Sequence, residues 1–161
     1  MIVPIIMGSK KDKDFASGIG EYLDRFGIDY EYRVASAHKA PEFALGVLEE
    51  YDSKEEDVVY IAVAGRSNAL CGVVDANTDN PVITCPPTSS TFAGKDIYSS
   101  LRMPSGVAPM VILEPKNAAL AAAKIFGLKN DEIKKKIRDY QKELENGIKS
   151  DDSDLSGRID N

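Results

Sequence analysis

The sequence is poor in the residues that carry several common chemistries. It has one histidine, two cysteines and no tryptophan among its 161 residues. Cys71 and Cys85 form no CxxC pair and stand beside no histidine, so neither a zinc site nor a disulfide framework is expected. We expect both to be reduced and mostly buried thiols, which is the usual condition of free cysteine, rather than catalytic groups.

The chain also lacks any block rich in lysine and arginine, and its formal net charge at pH 7 is -6. Because nucleic acids and anionic membranes are held mainly by many cationic contacts, neither is expected as a partner. The apolar start, residues 1–7, has no basic n-region, and the run stops at Gly8, which is too short for a signal peptide or a membrane span. The sequence therefore predicts a cytoplasmic protein, for which a small anionic ligand remains possible.

The motifs of several large enzyme classes are missing as well. No zinc motif, P-loop, GxSxG elbow or GxGxxG fingerprint occurs, which disfavours metal-dependent hydrolysis, nucleoside triphosphate cleavage and serine esterase chemistry. The chain is 43% hydrophobic and 29% charged, and it contains no internal repeat or interdomain linker. These features predict one globular domain spanning residues 1–161.

What the chain does contain is an alternation of short β-rich apolar runs with helical patterns. The predicted strands are residues 3–7, 30–34, 58–64, 81–85 and 110–113. Such alternation is typical of a parallel sheet covered by helices on both faces. We therefore predict a three-layer α/β/α domain with a flavodoxin-like parallel sheet, in which ligands bind outside the carboxyl ends of the strands.

The helical segments have recognisable ends. The first helix should end at Gly27, and the second should begin near Pro41 and bury Phe43, Leu45, Val47 and Leu48. A third helix should begin close to Asn68, and residues 85–90 should form a surface loop. The alanine-rich helix over residues 117–126 permits close packing against the sheet or another subunit. A last helix is predicted over about residues 131–148, followed by a loose acidic tail over residues 150–161.

The segment after the first predicted strand could bind an anion. Gly8 lets the backbone approach a ligand, Ser9 offers a hydroxyl, and free amides at the start of the next helix favour a phosphate. Lys11 is a possible cation, whereas Asp12 suits a ribose hydroxyl better than a phosphate. The alternative is an ordinary turn in which Asp12 is the N-cap or a first-turn acid.

The segment after the second strand, Ser36, Ala37, His38 and Lys39, holds the only histidine. Any reaction that needs a group titrating near neutral pH has His38 as its obvious candidate. Lys39 could neutralise a phosphate as a point charge. The alternative is that His38 caps the second helix or packs under it, but its expected place at a strand's carboxyl end favours function.

After the third strand come Ala64, Gly65, Arg66, Ser67 and Asn68. This loop can present backbone amides and side-chain donors to a carboxylate or a planar amide-like ligand. Arg66 has an alternative role in a surface ion pair.

Six segments together resemble the PurE family of purine biosynthesis. They are MGSKKD (7–12), SAHK (36–39), AGRSN (64–68), NPVITCPP (80–87), SSLRMPSG (99–106) and NAA (117–119). The resemblance runs in unbroken order over roughly residues 1–128. The chain resembles class II of this family in particular, because Ala69 stands where class I mutases carry a second histidine. Class II members carboxylate their substrate with free carbon dioxide.

The resemblance implies an enzyme that converts 5-aminoimidazole ribonucleotide (AIR) to its 4-carboxylate, with His38 as the proton carrier and no metal or cofactor. It also implies a symmetric homo-oligomer, a tetramer or octamer, with sites at subunit contacts, to which residues 99–106 and the alanine-rich helix could contribute. Alternatively, residues 99–106 form an ordinary loop and the alanine-rich helix is an ordinary part of the core. Two other functions stay open, a class I mutase acting on the N-carboxylated ribonucleotide and a non-enzymatic nucleotide-binding module.

Overall fold

The structure is a computed structural model and describes residues 1–156. Five strands form one parallel sheet in the order β2-β1-β3-β4-β5. Their bounds are β1 (Ile2–Met7), β2 (Asp29–Val34), β3 (Tyr60–Val63), β4 (Val82–Thr84) and β5 (Met110–Val111). This is the strand order of flavodoxin-like sheets, and the predicted fold class is confirmed.

Helices cover both faces of the sheet and make it the middle layer of three. They are α1 (Lys13–Phe26), α2 (Pro41–Asp52), α3 (Ala69–Asp75), α4 (Tyr98–Leu101), α5 (Pro115–Phe126) and α6 (Asp131–Ser156). Short 3-10 turns lie at Lys10–Asp12, Ser90–Phe92 and Lys95–Ile97.

Alternation along the central strand builds two separate cores. Val3 and Ile5 of β1 face α1, α5 and α6, whereas Ile2 and Ile6 face α2 and α3. Successive strand residues point to opposite faces, and both faces are covered, so all of β1 is buried. The two layers of helices thus fix the sheet from both sides and leave the strand ends to carry the loops.

Helix α1 ends as the sequence predicts. Gly27 has a left-handed conformation (φ 70°), its N–H donates to the Asp24 carbonyl, and the Ile28 N–H donates to the Leu23 carbonyl. In α2, which begins at Pro41, the prediction that Phe43 is buried is wrong, because its side chain is 57% exposed. Val47 and Leu48 are buried as predicted and Leu45 is half-buried, while Ala44 takes the inward position expected for Phe43.

The last helix is longer than expected. It continues to Ser156, so residues 150–156 are helical where we predicted a loose tail. Within this extension the Ser153 hydroxyl donates to the Lys149 carbonyl and the Ser156 hydroxyl donates to the Ser153 carbonyl. The remainder of the predicted tail, residues 157–161, lies outside the described residues.

Several smaller expectations are also settled. Cys71 and Cys85 are free and buried, as predicted. Four alanines of α5 are fully buried in the core cluster that includes α1, so the close packing occurs within this chain: Ala118, Ala119, Ala122 and Ala123. Over residues 1–156 no helix is both long and apolar enough to cross a membrane.

Candidate functional site

The carboxyl ends of β1, β2 and β3 meet at one edge of the sheet. Met7 pairs with Val34 on one side and with Val63 on the other. Immediately beyond, the Gly8 N–H donates to the Val63 carbonyl at 2.9 Å and the Ala35 N–H donates to the Met7 carbonyl at 2.9 Å. The three following loops therefore start at the same level and face one another.

These loops enclose an open cleft of about 650 Å³. The structure brings all the predicted site residues into its wall except Asn68: Gly8, Ser9, Lys11, Asp12, Ser36, Ala37, His38, Lys39, Ala64, Gly65, Arg66 and Ser67. The convergence expected from strand order is thus present, and a cleft of this size can hold a small organic ligand.

Gly8 allows the first and third loops to approach closely. A Cβ atom at this position would lie 3.3 Å from the Cβ of Ala64, which is tighter than nine in ten real Cβ contacts. The next residue, Ser9, accepts a hydrogen bond from the Lys11 N–H at 3.3 Å and so starts the 3-10 turn before α1. Asp12 occupies the N-cap position of α1 but makes no capping hydrogen bond, so its carboxylate is left for the cleft.

His38 lies in a turn after β2 and is exposed at the cleft wall. The Ser36 carbonyl closes this turn by accepting the N–H groups of Lys39 at 3.2 Å and Ala40 at 2.9 Å. The N-cap of α2 is Ala40, and α2 receives no side-chain capping bond. His38 therefore neither caps the second helix nor packs beneath it, and its imidazole is accessible to a ligand.

The cleft also holds cationic side chains that are free for an anionic ligand. In the described part of the chain, none of the ion pairs involves Lys11, Lys39 or Arg66. The alternative of a surface ion pair for Arg66 is therefore not realised. Three cations around one cleft favour an anion there, even in a chain of net negative charge.

Asn68 does not lie in the cleft wall, contrary to the prediction. Its side chain is 3% exposed, and its Nδ2 donates to Thr84 Oγ1 at 2.8 Å and to Ser100 Oγ at 3.0 Å. Its Oδ1 accepts the Cys71 N–H at the start of α3. A buried amide must satisfy both ends, and Asn68 does so inside the protein, where it holds the third loop rather than a ligand.

Part of the wall was not predicted from the sequence, namely Leu70, Pro87, Thr88 and Ser89. Three of these follow β4, the next strand along the same sheet edge, so strand order could have found them. A smaller pocket of about 180 Å³ adjoins the cleft and shares part of its wall. Asp96, Ile97 and Ser100 line this pocket, and together with Ser99 they connect the segment after β4 to the third loop.

The electrostatics of the first loop single out Asp12. Burial raises the pKa of its carboxyl above the ordinary value, and the backbone of Ser9 opposes this by a smaller amount. A desolvated carboxylate that is not occupied in capping gains from a hydroxyl donor, such as that of a sugar. Within residues 1–156, no group of three or more His, Cys, Asp or Glu side chains is arranged to hold a metal ion.

Comparison with known proteins gives consistent results. Residues 2–147 match the family model described as AIR carboxylase. The phosphoribosylaminoimidazole carboxylase of Archaeoglobus fulgidus is 54% identical over 151 residues, which is 94% of this chain and 83% of that protein. The enzyme of the same name from Treponema denticola is 49% identical over 154 residues, 96% of this chain and 97% of that protein.

A solved structure and a longer relative extend the comparison. The crystal structure of Treponema denticola PurE superposes with a TM-score of 0.94 at 49% identity, covering 96% of this chain and 98% of that one. The human bifunctional phosphoribosylaminoimidazole carboxylase/phosphoribosylaminoimidazole succinocarboxamide synthetase is 43% identical over 136 residues, 84% of this chain and 32% of that protein.

The raised pKa of Asp12 predicts a pH-dependent stability difference. The unfolded chain loses this proton at about pH 4, whereas the folded chain holds it to higher pH, so the wild type loses stability as pH rises through the folded pKa. We expect Asp12→Asn to unfold at a higher temperature than wild type near pH 7, with the gain shrinking to nothing below about pH 4. Thermal unfolding from pH 3 to 8 measures this.

Asp57 is the matched control, because Lys129 at 2.9 Å lowers the pKa of its carboxyl. Its stabilising effect is present above about pH 4 and is lost as pH falls, so Asp57→Asn should unfold at a lower temperature than wild type near pH 7. If both variants shift in the same direction at pH 7, the burial argument for Asp12 is wrong.

Proposed function

The chain belongs to the AIR carboxylase family, and from this premise we propose that it carboxylates AIR with free carbon dioxide, using His38 as general acid and base. The family's reaction makes it an enzyme of purine biosynthesis that forms 4-carboxy-5-aminoimidazole ribonucleotide (CAIR). What we propose beyond the family's reaction is the source of the carboxyl group and the residues of this chain that bind the substrate and carry the proton.

One observation carries the proposal. The only imidazole of the chain lies in the wall of an open cleft that the Gly8 to Asp12 loop and the Gly65 to Ser67 loop also line. A general base must come within hydrogen-bond reach of the proton that it removes. Because His38 is exposed and does not cap α2, a ligand held by the other two loops can meet it.

The first step forms a carbon–carbon bond. The exocyclic amine of AIR pushes electron density onto ring carbon 4, and this carbon attacks the carbon of carbon dioxide. One C=O π pair moves onto oxygen and gives a carboxylate. The intermediate has a tetrahedral carbon 4 that bears both a hydrogen and the new carboxylate. This electron-rich ring needs no metal, biotin or ATP for the step, and we propose that the enzyme uses none.

The second step restores the aromatic ring. Neutral His38 takes the proton from carbon 4, and the electron pair of the broken C–H bond returns to the ring. The imidazolium that results gives its proton to solvent, and in the reverse direction it returns a proton to carbon 4. The same imidazole thus carries the proton in both directions.

The loops divide the remaining work of binding. Ser9, Asp12, Ser36 and Lys39 hold the ribose phosphate, with Lys11 as a further cation. The backbone amides of the third loop hold the carboxylate, where fixed donors stabilise charge as it develops. Pro87 and Leu70 add apolar surface to the wall. We propose that apolar surface beside the carboxylate site favours uncharged carbon dioxide over bicarbonate.

Replacing His38 tests the proton carrier. Since a positioned acid/base contributes roughly 10²- to 10⁴-fold, His38→Asn should lower kcat for AIR carboxylation by about that factor. The KM for AIR should change little, because other residues hold the ribose phosphate. Steady-state assay of CAIR formation by absorbance gives both constants.

The fold of this variant is checked by circular dichroism and thermal unfolding, which should match wild type because the side chain is exposed at the cleft. Near-native turnover by folded His38→Asn would show that another group carries the proton.

Substrate choice tests the class. We expect turnover of AIR with bicarbonate and carbonic anhydrase, which supply carbon dioxide, and no turnover of the N-carboxylated ribonucleotide. The class II assignment is supported by AGRSN at residues 64–68, with Ala69 in place of a second histidine. Turnover of the N-carboxylated ribonucleotide alone would identify a class I mutase. Binding of AIR in calorimetry with no product from either substrate would support the non-enzymatic module.

We further propose that the protein acts in the cytoplasm as a symmetric homo-oligomer, a tetramer or octamer. Several large apolar side chains are exposed among the described residues: Phe43, Tyr98, Leu101, Leu113, Leu144 and Ile148. Contact with further copies of the chain would remove such apolar surface from water, which is favourable. Sedimentation velocity at assay concentrations should give four or eight times the mass of one chain. A single species of 17.5 kDa would contradict the proposal.

A further inference from the structure

We propose that Asp96 and Ser99 are positioning residues for carboxylation, since they hold the third loop in the shape that receives the substrate carboxylate. We call this pair the Arg66 clamp. The inference rests on the proposed function of the cleft and adds a role for residues outside its wall.

Arg66 has a left-handed backbone conformation, with φ of 59°. A residue with a long side chain rarely adopts this conformation, because its Cβ crowds the following carbonyl oxygen. Such a conformation persists only where the surroundings impose it, and it often occurs at functional sites. The structure shows what imposes it here.

The segment after β4 holds both polar groups of the Arg66 backbone. The Arg66 N–H donates to Asp96 Oδ2 at 3.0 Å, and the Ser99 hydroxyl lies 2.8 Å from the Arg66 carbonyl, to which it donates. The Ser99 oxygen also accepts the Asn68 N–H at 3.1 Å. The hydroxyl is equally close to the Asp96 carbonyl, so its single proton is shared between two acceptors.

The clamp determines which amides of the third loop remain for a ligand. The N–H groups of Arg66 and Asn68 are used inside the protein, whereas those of Gly65 and Ser67 meet no protein acceptor among the described residues. Gly65 and Ser67 are also the loop residues that line the cleft beside Arg66. Rotation of Arg66 to a negative φ would reorient the neighbouring peptide groups, so the N–H groups of Gly65 and Ser67 would no longer point at one ligand.

Asp96 and Ser99 act from behind the loop and not through the substrate. Neither residue lines the cleft, and Asp96 lines only the smaller adjoining pocket. They lie in the Lys95–Ile97 turn and in α4, and α4 also supplies Ser100 to the buried Asn68 amide. The hydrogen bonds of the clamp therefore act on catalysis through the geometry of residues 65–67.

The test removes the carboxylate and then restores an acceptor. Asp96→Ala should lower kcat by about 10- to 100-fold, because displacement of a positioned group by about 1 Å can cost that much. The KM for AIR should stay within about threefold, because the first and second loops still hold the ribose phosphate. Asp96→Asn keeps an acceptor oxygen for the Arg66 N–H and should recover most of the lost kcat.

Asp75→Ala is the matched control. Asp75 Oδ2 accepts the Ala108 N–H at 2.7 Å and ties another loop to α3, but it lines neither the cleft nor the smaller pocket. The Asp75→Ala substitution also removes a hydrogen bond from a backbone N–H to a carboxylate, so its loss of stability should be similar to that of Asp96→Ala. Its kcat should equal that of wild type.

Three results would overturn the inference: unchanged kcat in Asp96→Ala, an equal loss in Asp75→Ala, or failure of Asp96→Asn to recover activity. If Asp96→Ala does not fold, Ser99→Ala tests the clamp instead, because it removes the hydrogen bond to the Arg66 carbonyl. A lower kcat with an unchanged KM would support the clamp, and a wild-type kcat would contradict it. Failure of the proposed function would instead appear as wild-type protein that makes no CAIR.

Discussion

The site depends on the pairing of β1 with both of its neighbours. Met7 stands opposite Val34 and Val63, so three loops leave the sheet at one level. Gly8 then passes so close to Ala64 that a Cβ atom would not fit without displacement. Because central parallel strands are fixed by buried contacts on both faces, the loops are anchored at their bases. Their residues can therefore be specialised for a ligand without supporting the fold themselves.

Locally unfavourable features gather at this edge of the sheet. Arg66 holds a left-handed backbone, and the Asp12 carboxylate is partly desolvated without serving as a helix cap. Neither feature stabilises the chain by itself. Departures from local preference of this kind are expected where function, not folding, selects the residue. Both features lie in the cleft that also contains His38. At the opposite end of the sheet, by contrast, Asp52 accepts hydrogen bonds from Tyr60, Thr78 and Asn80 in an ordinary polar network.

The sequence predicts the fold and most of the cleft because periodicity identifies the strands, and strand order brings their carboxyl ends together. It fails where tertiary contacts decide between alternatives. Phe43 is as apolar as Ala44, but only Ala44 faces the sheet. Asn68 has the chemistry of a ligand donor, yet Thr84 and Ser100, both distant in the chain, take its amide. A local sequence pattern cannot identify a hydrogen-bond partner about thirty residues away. For the same reason, the hydrogen bond from Arg66 to Asp96 could not be predicted from the sequence.

The charge of the chain shows why local arrangement outweighs composition. An excess of carboxylates disfavours a polyanion that must cover a wide surface, but a small phosphate ester senses chiefly the groups within a Debye length, about 8 Å at physiological salt. Lys11, Lys39 and Arg66 reach the cleft without ion-pair partners in the described chain, while the paired cations, such as Arg25 with Glu143, lie elsewhere. Under the proposed function, three cations that line one cleft serve a single phosphate, and this local arrangement needs no excess of positive charge over the whole chain.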